Sequence, residues 1–499
     1  MKKILLRFVT IIISVLILGS LIAGCGEKSD SDNQPDAADT QAEQVETTAE
    51  EKELTADDII RERYSSNDYG GKEIRILSPS IGKHFYYQLG DEVNEIWAET
   101  ETGDVMNDAI IKRNRNTEEL LNVKITPIWG GETDTITKTI QKAVTAGSDE
   151  FDTVINRMDF FGTPMTSGYL MNLLTVNTIN TEDYWWDANI TSNFTLFNSK
   201  LYWIAGDINT FDDYAVEAIY FNKKLCDDHS LQYPYQTVLD GIWTIDKFND
   251  MAQTVVHDLN GDGVIKVGDD IVGHIENNDH VKHWIYAMGE KSVDIDPDGI
   301  LTVNTLNERH ILAVDTIYHY MVEAEMTYSG YEEIFMEDKA LFMGNMLGPI
   351  NKLRGMTSDF GLIPMPKLDE DQKNYGEYVS NGWTTALAIP ITCQDPEFTG
   401  IVLDTMCAFS NTTVRYALYD IMLNVKLVRD DESLQTLDII LASKAYDWAV
   451  DFSWGSSFQS AYNNVYNTKK NNYVSAATKT FDRQSKTIND LLDTIRELP

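Results

Sequence analysis

Lys72-Glu73-Ile74-Arg75-Ile76-Leu77 alternates polar and apolar residues, the period of a half-buried β-strand, and Ser78-Pro79-Ser80 ends it. Downstream, Asp104 to Asn122 reads as a helix with Val105, Ala109, Ile110, Thr117, Leu120 and Leu121 on one face. Val123 to Ile128 reads as a second strand, Thr133 to Thr145 as a second helix, and Phe151 to Ile155 as a third strand. Strand, helix, strand, helix, strand at this spacing predicts parallel βαβ units and an α/β fold. Ligands of such sheets sit beyond the carboxyl ends of the strands, which here points to Ser78, Ser80, Asn156, Arg157 and Asp159.

Upstream, Lys2, Lys3 and Arg7 precede an uncharged run from Phe8 to Gly24, then Cys25. A basic start, an apolar core and small residues before the cut describe a secretory signal peptide over 1–24. Leu21-Ile22-Ala23-Gly24-Cys25 resembles a bacterial lipobox, which implies lipidation of Cys25 and an extracellular, membrane-anchored protein. The segment 25–60 is expected to be a disordered acidic linker. Glu27 to Asp58 carries 12 acidic and two basic residues and almost no large apolar ones.

The chain has 499 residues, enough for two or more domains, and a formal charge of -39. That charge excludes nucleic acid and polyanions as partners. Apart from Cys25 only Cys226, Cys393 and Cys407 remain, an odd number, so buried free thiols are expected; a Cys393–Cys407 pair stays open.

Asp258-Leu259-Asn260-Gly261-Asp262-Gly263-Val264-Ile265 leads on to Asp269. Oxygen side chains fall at positions 1, 3, 5 and 12 of a loop with Gly at position 6, the arrangement that wraps Ca2+. The expected ligands are Asp258, Asn260, Asp262, the Val264 carbonyl and Asp269, in a structural role; Asp replaces the usual Glu at position 12. His280 and His283 beside Asp279 read as a polar surface turn. The HExxH, GxSxG and phosphate-loop patterns are missing, and no carboxylate pair is singled out for glycoside hydrolysis.

The order of several weak segments resembles one family. They are the lipobox, Phe151-Asp152-Thr153-Val154, Gly168-Tyr169-Leu170 with Asn172-Leu173, Lys200-Leu201-Tyr202, Ile219 to Leu225, Trp243 to Phe248, Ala340-Leu341-Phe342 and Phe360 to Pro364. Together they look like the extracellular solute-binding lipoproteins of ABC importers, in the class of the maltose-binding proteins. The resemblance implies a two-lobe type II periplasmic-binding-protein fold with a hinge and an interlobe cleft. Lobe one is expected near 72–180 and 309–352, and lobe two near 181–308 and 353–499. It implies a non-enzymatic monomer that captures a carbohydrate, an oligosaccharide above all, and hands it to permease subunits. A surface-anchored carbohydrate-active enzyme and a sensor-linked binding protein are the alternatives. The residues it places at the ligand are Ser78, Arg157, Asp159, Asp213, Tyr214, Glu217, Asn345, Trp383 and Trp454.

Overall fold

The alternating stretch forms strand β1 (Lys72–Ser78), with Ile74, Ile76 and Leu77 buried. The computed structural model describes residues 54–80, 94–276, 281–423, 431–452 and 454–499. The readings of 1–25, and of the linker up to Glu53, lie outside them. β2 (Val123–Trp129) runs parallel to β1 from Lys72↔Val123 to Ser78↔Trp129. β3 (Thr153–Arg157) lies parallel on the other side, with Ile76 opposite Thr153. The intervening helix Val105–Leu121 starts on an Asp104 cap, which accepts from the Asn107 N–H, and stops at left-handed Asn122. The helix Thr133–Ala146 stops at Gly147, whose φ is 63°.

A second sheet follows. It contains β4 (Glu217–Asn222), β5 (Val272–Glu276), β6 (Thr327–Ser329), β7 (Ala340–Met346) and β8 (Phe360–Ile363), in the order β8-β4-β7-β5-β6. The chain then returns to the first sheet as β9 (Thr385–Ala388), giving β9-β3-β1-β2. β9 is antiparallel to β3, and β4 is antiparallel to both β7 and β8. Each sheet therefore takes its antiparallel strand from the segment that has just arrived from the other. Two passages between the sheets run from Ile204 to Glu217 and from Ile363 to Thr385; the chain crosses again between the helix Val414–Leu423, which packs on the helix Val105–Leu121, and the helix Asp431–Ala442, which packs on β8.

The passages are bonded to each other directly, the Ser380 N–H on the Ala215 carbonyl at 3.1 Å and the Asn209 amide on the Thr385 hydroxyl at 3.0 Å, and also through one buried carboxylate. Glu95 accepts from the Thr210 N–H at 2.6 Å and the Phe211 N–H at 3.0 Å on the outward passage. It also accepts from the Thr385 hydroxyl at 2.7 Å on the return. Arg113, fully buried, donates to the Glu95 carbonyl at 2.7 Å and the Ile96 carbonyl at 2.9 Å, which fixes this segment on the helix Val105–Leu121.

Three sequence expectations are corrected. The fold begins near Thr55, not Lys72, and residues 56–60 of the expected linker are helical. The helix Ala56–Tyr64 opens with a Thr55–Asp58 capping box. It buries Ile60 and Tyr64, about 2 kcal/mol for a side chain such as Ile60. Arg63 and the Tyr64 hydroxyl bind Asp404 at 2.9 and 3.0 Å. Second, β7 falls in the 309–352 segment expected in lobe one, yet it lies at the centre of the second sheet. Third, β9 falls in the 353–499 segment expected in lobe two, yet it belongs to the first sheet. The helix Pro396–Thr412 follows β9, and its Asp404 accepts from the indoles of Trp185 and Trp186 at 2.8 and 3.3 Å. Cys226, Cys393 and Cys407 are buried free thiols.

Burial raises the Glu95 carboxyl to about 7, against bonds from Phe211, Thr385 and Thr210 that pull it down. Burial likewise takes Glu276 to about 8 and Asp207 to about 6. These carboxyls hold protons more tightly folded than unfolded, so their contribution to stability declines as pH rises from about 4 through about 8. The melting temperature is expected to fall across that window. Glu95→Gln, which keeps the shape and removes the titration, should flatten the fall. An equally steep profile in Glu95→Gln would contradict the assignment.

Candidate functional site

β3 ends at Arg157, and the Met158 N–H is held by the Thr384 carbonyl at 2.9 Å. The next turn carries Asp159 and Phe160. The Arg157 guanidinium forks onto Asp159, Nε to Oδ1 at 3.1 Å and Nη2 to Oδ2 at 2.6 Å, and lies 5.0 Å from the Phe160 ring centre. Burial raises the Asp159 carboxyl, and Arg157 opposes it. The short helix Trp448–Asp451 supplies a second carboxylate. Asp451 is buried and accepts from the Asp447 N–H at 2.9 Å. Burial raises its pKa well above the usual carboxylate range, and the charges of Asp447 and Asp159 add to this. Phe452 packs so closely on Gly162 that a Cβ there would meet the ring at 2.9 Å. Trp454, half-buried, lies 4.5 Å from Phe452 and stacks at 6.1 Å on Phe458. The structure thus brings Arg157 and Asp159 to one end of the first sheet, with Trp454 reached from there only through Phe452.

On the second sheet, Glu217 pairs with Met346 and Ala218 with Asn345, so Glu217 and Asn345 end adjacent strands but project from opposite faces of the sheet. The Glu217 carboxylate is 3.4 Å from His283 Nδ1, and the imidazole stacks on Tyr378 at 4.5 Å. Asn345 donates to Glu332 at 3.3 Å, and Lys352 does so at 2.9 Å. Glu276, the last residue of β5, accepts from the Trp284 indole at 3.1 Å. These groups offer hydroxyl-bearing ligands a dense set of acceptors beside flat aromatic faces.

The remaining selected residues are placed elsewhere. Ser78 is fully buried, with its hydroxyl on the Pro79 carbonyl. Tyr214 is buried against Gly348, and Trp383 is buried with its N–H on the Ser380 carbonyl at 2.8 Å. Asp213 belongs to an ion cluster around Lys444, which lies 2.7 Å from Asp187, 2.7 Å from Asp212 and 3.1 Å from Asp213. His283 is not on a surface turn but buried; Asp279 and His280 lie outside the described residues. Sequence reasoning missed Asp451, because Asp is too common in this chain to stand out. It also missed Phe160, although this residue adjoins Asp159. Two cavities, of about 730 and 920 Å³, are lined by none of these cleft residues.

In the loop 258–269, Gly261 and Gly263 adopt the left-handed backbone that the sharp turn requires. The Asp258 carboxylate accepts from the N–H groups of Gly261 and Gly263, both at 2.7 Å. Asp262 is paired with Lys266 at 2.7 Å. Asp269 is exposed, and Asp270 closes the loop by accepting from the Leu259 and Lys266 N–H groups at 2.9 and 2.8 Å. Among the described residues, no three carboxylate, imidazole or thiol groups converge as metal ligands.

Neither protein-family models nor curated proteins give a match to the chain. Solved structures do. A sugar transporter from Rhizobium etli in an open conformation aligns with 86% of this chain and 100% of its own, at 13% identity and a TM-score of 0.53. A cyclo/maltodextrin-binding protein complexed with maltotetraose aligns with 86% of this chain and 97% of its own, at 12% identity and a TM-score of 0.50. A maltose/maltodextrin-binding domain from Bdellovibrio bacteriovorus bound to maltotriose aligns with 83% of this chain and 100% of its own, at 17% identity and a TM-score of 0.47. At such identities the likeness is one of fold. With the strand exchange between its two sheets, the chain has the two-lobe α/β fold of the type II periplasmic binding proteins.

Proposed function

We propose that this chain is the substrate-binding subunit of an ABC importer and captures an oligosaccharide between its lobes. The observation that carries the reading is the pairing of opposed sets. Arg157 and Asp159 stand at the end of one sheet, with Trp454 beyond Phe452; Glu217 and Asn345 stand at the end of the other. Both belong to lobes joined by passages able to act as a hinge. Carboxylates and amides suit sugar hydroxyls, and aromatic faces suit the apolar side of a sugar ring. Fold likeness to sugar-binding structures supports the carbohydrate class. In this reading the protein does no chemistry. Cys25 carries the lipid that holds it outside the cytoplasmic membrane, and permease subunits recognise the closed, monomeric form.

The test is calorimetric titration with oligosaccharides, combined with chromatography of the recovered sugar. Loss of one charge-assisted hydrogen bond is worth about 1.5–3 kcal/mol, so Asp159→Asn should weaken binding about 10- to 100-fold while the sugar is recovered intact. Unchanged affinity would remove Asp159 from the site, and cleaved sugar would replace the importer reading with an enzyme.

Calcium at Asp258, Asn260, Asp262, Val264 and Asp269 is proposed on the loop spacing alone, as a structural cation whose binding displaces the Lys266–Asp262 pair. Added calcium should then raise the melting temperature of the wild type and leave that of Asp258→Asn unchanged. An equal response in both proteins would remove the site.

A further inference from the structure

The helix Tyr473–Glu497 is 25 residues long, or about 37 Å at the usual rise per residue. It contains neither Pro nor Gly, the residues at which long helices kink. Its buried apolar side chains fall into two groups. Tyr473 and Ala477 join the cluster that holds Trp284 and Tyr462; Ile488, Leu491, Leu492 and Ile495 join the one that holds Leu170, Leu201 and Ile204. The helix is thus one unbroken bar laid across both lobes.

Its first end is fixed on lobe two. The Tyr473 hydroxyl donates to the Thr305 carbonyl at 2.8 Å, and the ring stacks on His310 at 5.9 Å. The Asn471 amide donates to Asp315 at 2.8 Å. His310 and Asp315 lie on the helix Glu308–Tyr318, between β5 and β6 of the second sheet. The other end rests on lobe one. Lys200 Nζ donates to the Ile495 carbonyl at 3.1 Å and to the Leu498 carbonyl. Carbonyls at a helix end are short of intrahelical donors, and a lysine there also meets the negative end of the helix dipole. The Arg496 guanidinium lies 5.0 Å from the Phe197 ring centre, and Leu498 packs so closely on Gly168 that a Cβ there would come within 3.1 Å. Gly168 and Lys200 belong to lobe one: Leu170 bridges Pro390, Ile204 bridges Leu387 of β9, and the Leu173 N–H donates to the Leu201 carbonyl at 2.7 Å.

A bar fixed at both ends opposes rotation of one lobe on the other. The hairpin of Val293–Ile295 and Leu301–Val303 also touches this seat, with the Phe197 N–H on the Gly299 carbonyl at 2.8 Å. Turns on both sides, at Gly289 and at Asn304–Asn307, join the hairpin to the second sheet, so it is free to travel with lobe one. The helix has no such joint. Its ends are unequally held: Tyr473 is buried, whereas Arg496 is exposed and Lys200 partly so. The end on lobe one is the one that gives way.

We propose that the end of this helix, Ile495–Leu498, is a releasable clamp held on lobe one by Lys200. Seated, it fixes the angle between the lobes; unseated, it frees them to rotate about the passages. Any closing of the cleft then includes an unseating step. The clamp rests on the two-lobe fold and not on the carbohydrate reading.

Double electron–electron resonance between spin labels tests this without a ligand. The labels are placed at Lys142→Cys, on the helix Thr133–Ala146 of lobe one, and at Gln253→Cys, on the helix Ile245–Val255 of lobe two, both exposed. The chain without this pair gives the background from its own thiols. With the native Lys200, the distance distribution should be a single narrow peak. Loss of the charge-assisted bonds in Lys200→Met should shift the ratio of seated to unseated forms about tenfold and broaden the distribution. Lys200→Arg, which keeps the donors, should match the native form, and Leu498→Ala, which loses the contact with Gly168, should broaden it. Melting curves show which variants fold; if Lys200→Met does not, Leu498→Ala decides alone. An unchanged distribution in the folded variants would overturn the clamp. Broadening in Lys200→Arg equal to that in Lys200→Met would overturn the role of Lys200 in holding it.

Discussion

The Glu95 carboxylate is the interaction on which the two-lobe arrangement turns. It is buried in lobe one, fixed by Arg113, and binds the outward passage at Thr210 and Phe211 and the return at Thr385. Two chain segments that cross independently would give two loose tethers. Bonded to each other and to Glu95, they form one element, and the strand ends carrying Asp159 and Glu217 lie on either side of it. An unpaired carboxylate in such a place would be costly, which is why it gathers three donors.

The same region concentrates buried charge. Lys444 sits among Asp187, Asp212 and Asp213, and burial raises Asp212 to about 8 although Lys444 opposes it. Asp187, whose carboxylate also caps a helix through the Asn189 and Ile190 N–H groups, has its pKa held below the usual value by Lys444 and those bonds against the opposing effect of burial. Asp187 adjoins the last segment of lobe one, Asp212 and Asp213 lie on the outward passage, and Lys444 comes from the C-terminal region. The hydrophobic residues of this strongly acidic chain build its buried clusters, while a few of its charges, Asp187, Asp212, Asp213 and Lys444 among them, are buried beside the passages. These charges give the joint geometric specificity, since each bond has to be remade in place after any motion.

How much was legible in the sequence follows from range. The first three strands and their helices could be read because alternation at Lys72–Leu77 and helical spacing at Val105–Leu121 are local signals. The site residues on those strand ends, Arg157 and Asp159, followed directly. Lobe membership did not, because β7 and β9 look like ordinary strands; only long-range pairing to Glu217 and Arg157 shows which sheet each joins. The helix Ala56–Tyr64 was hidden by acidic composition, although Thr55 and Asp58 hold the spacing of a capping box. Trp383 and Tyr214 are buried, as are Glu217 and Asp451, and an aromatic residue before a strand is the same letter whether it lines a cleft or fills a core. In the calcium-like loop the pattern was legible, but Lys266 and Asp270 redirect its bonds in ways that spacing does not encode.

The central claim is that one joined hinge lets the two lobes close on a sugar. Small-angle scattering of residues 54–499, with and without a bound oligosaccharide, tests it most directly. The account predicts a smaller radius of gyration on binding, and a loss of that change in Glu95→Ala at sugar concentrations that still saturate the protein. A radius of gyration that is unchanged when the wild type is saturated with sugar would contradict it.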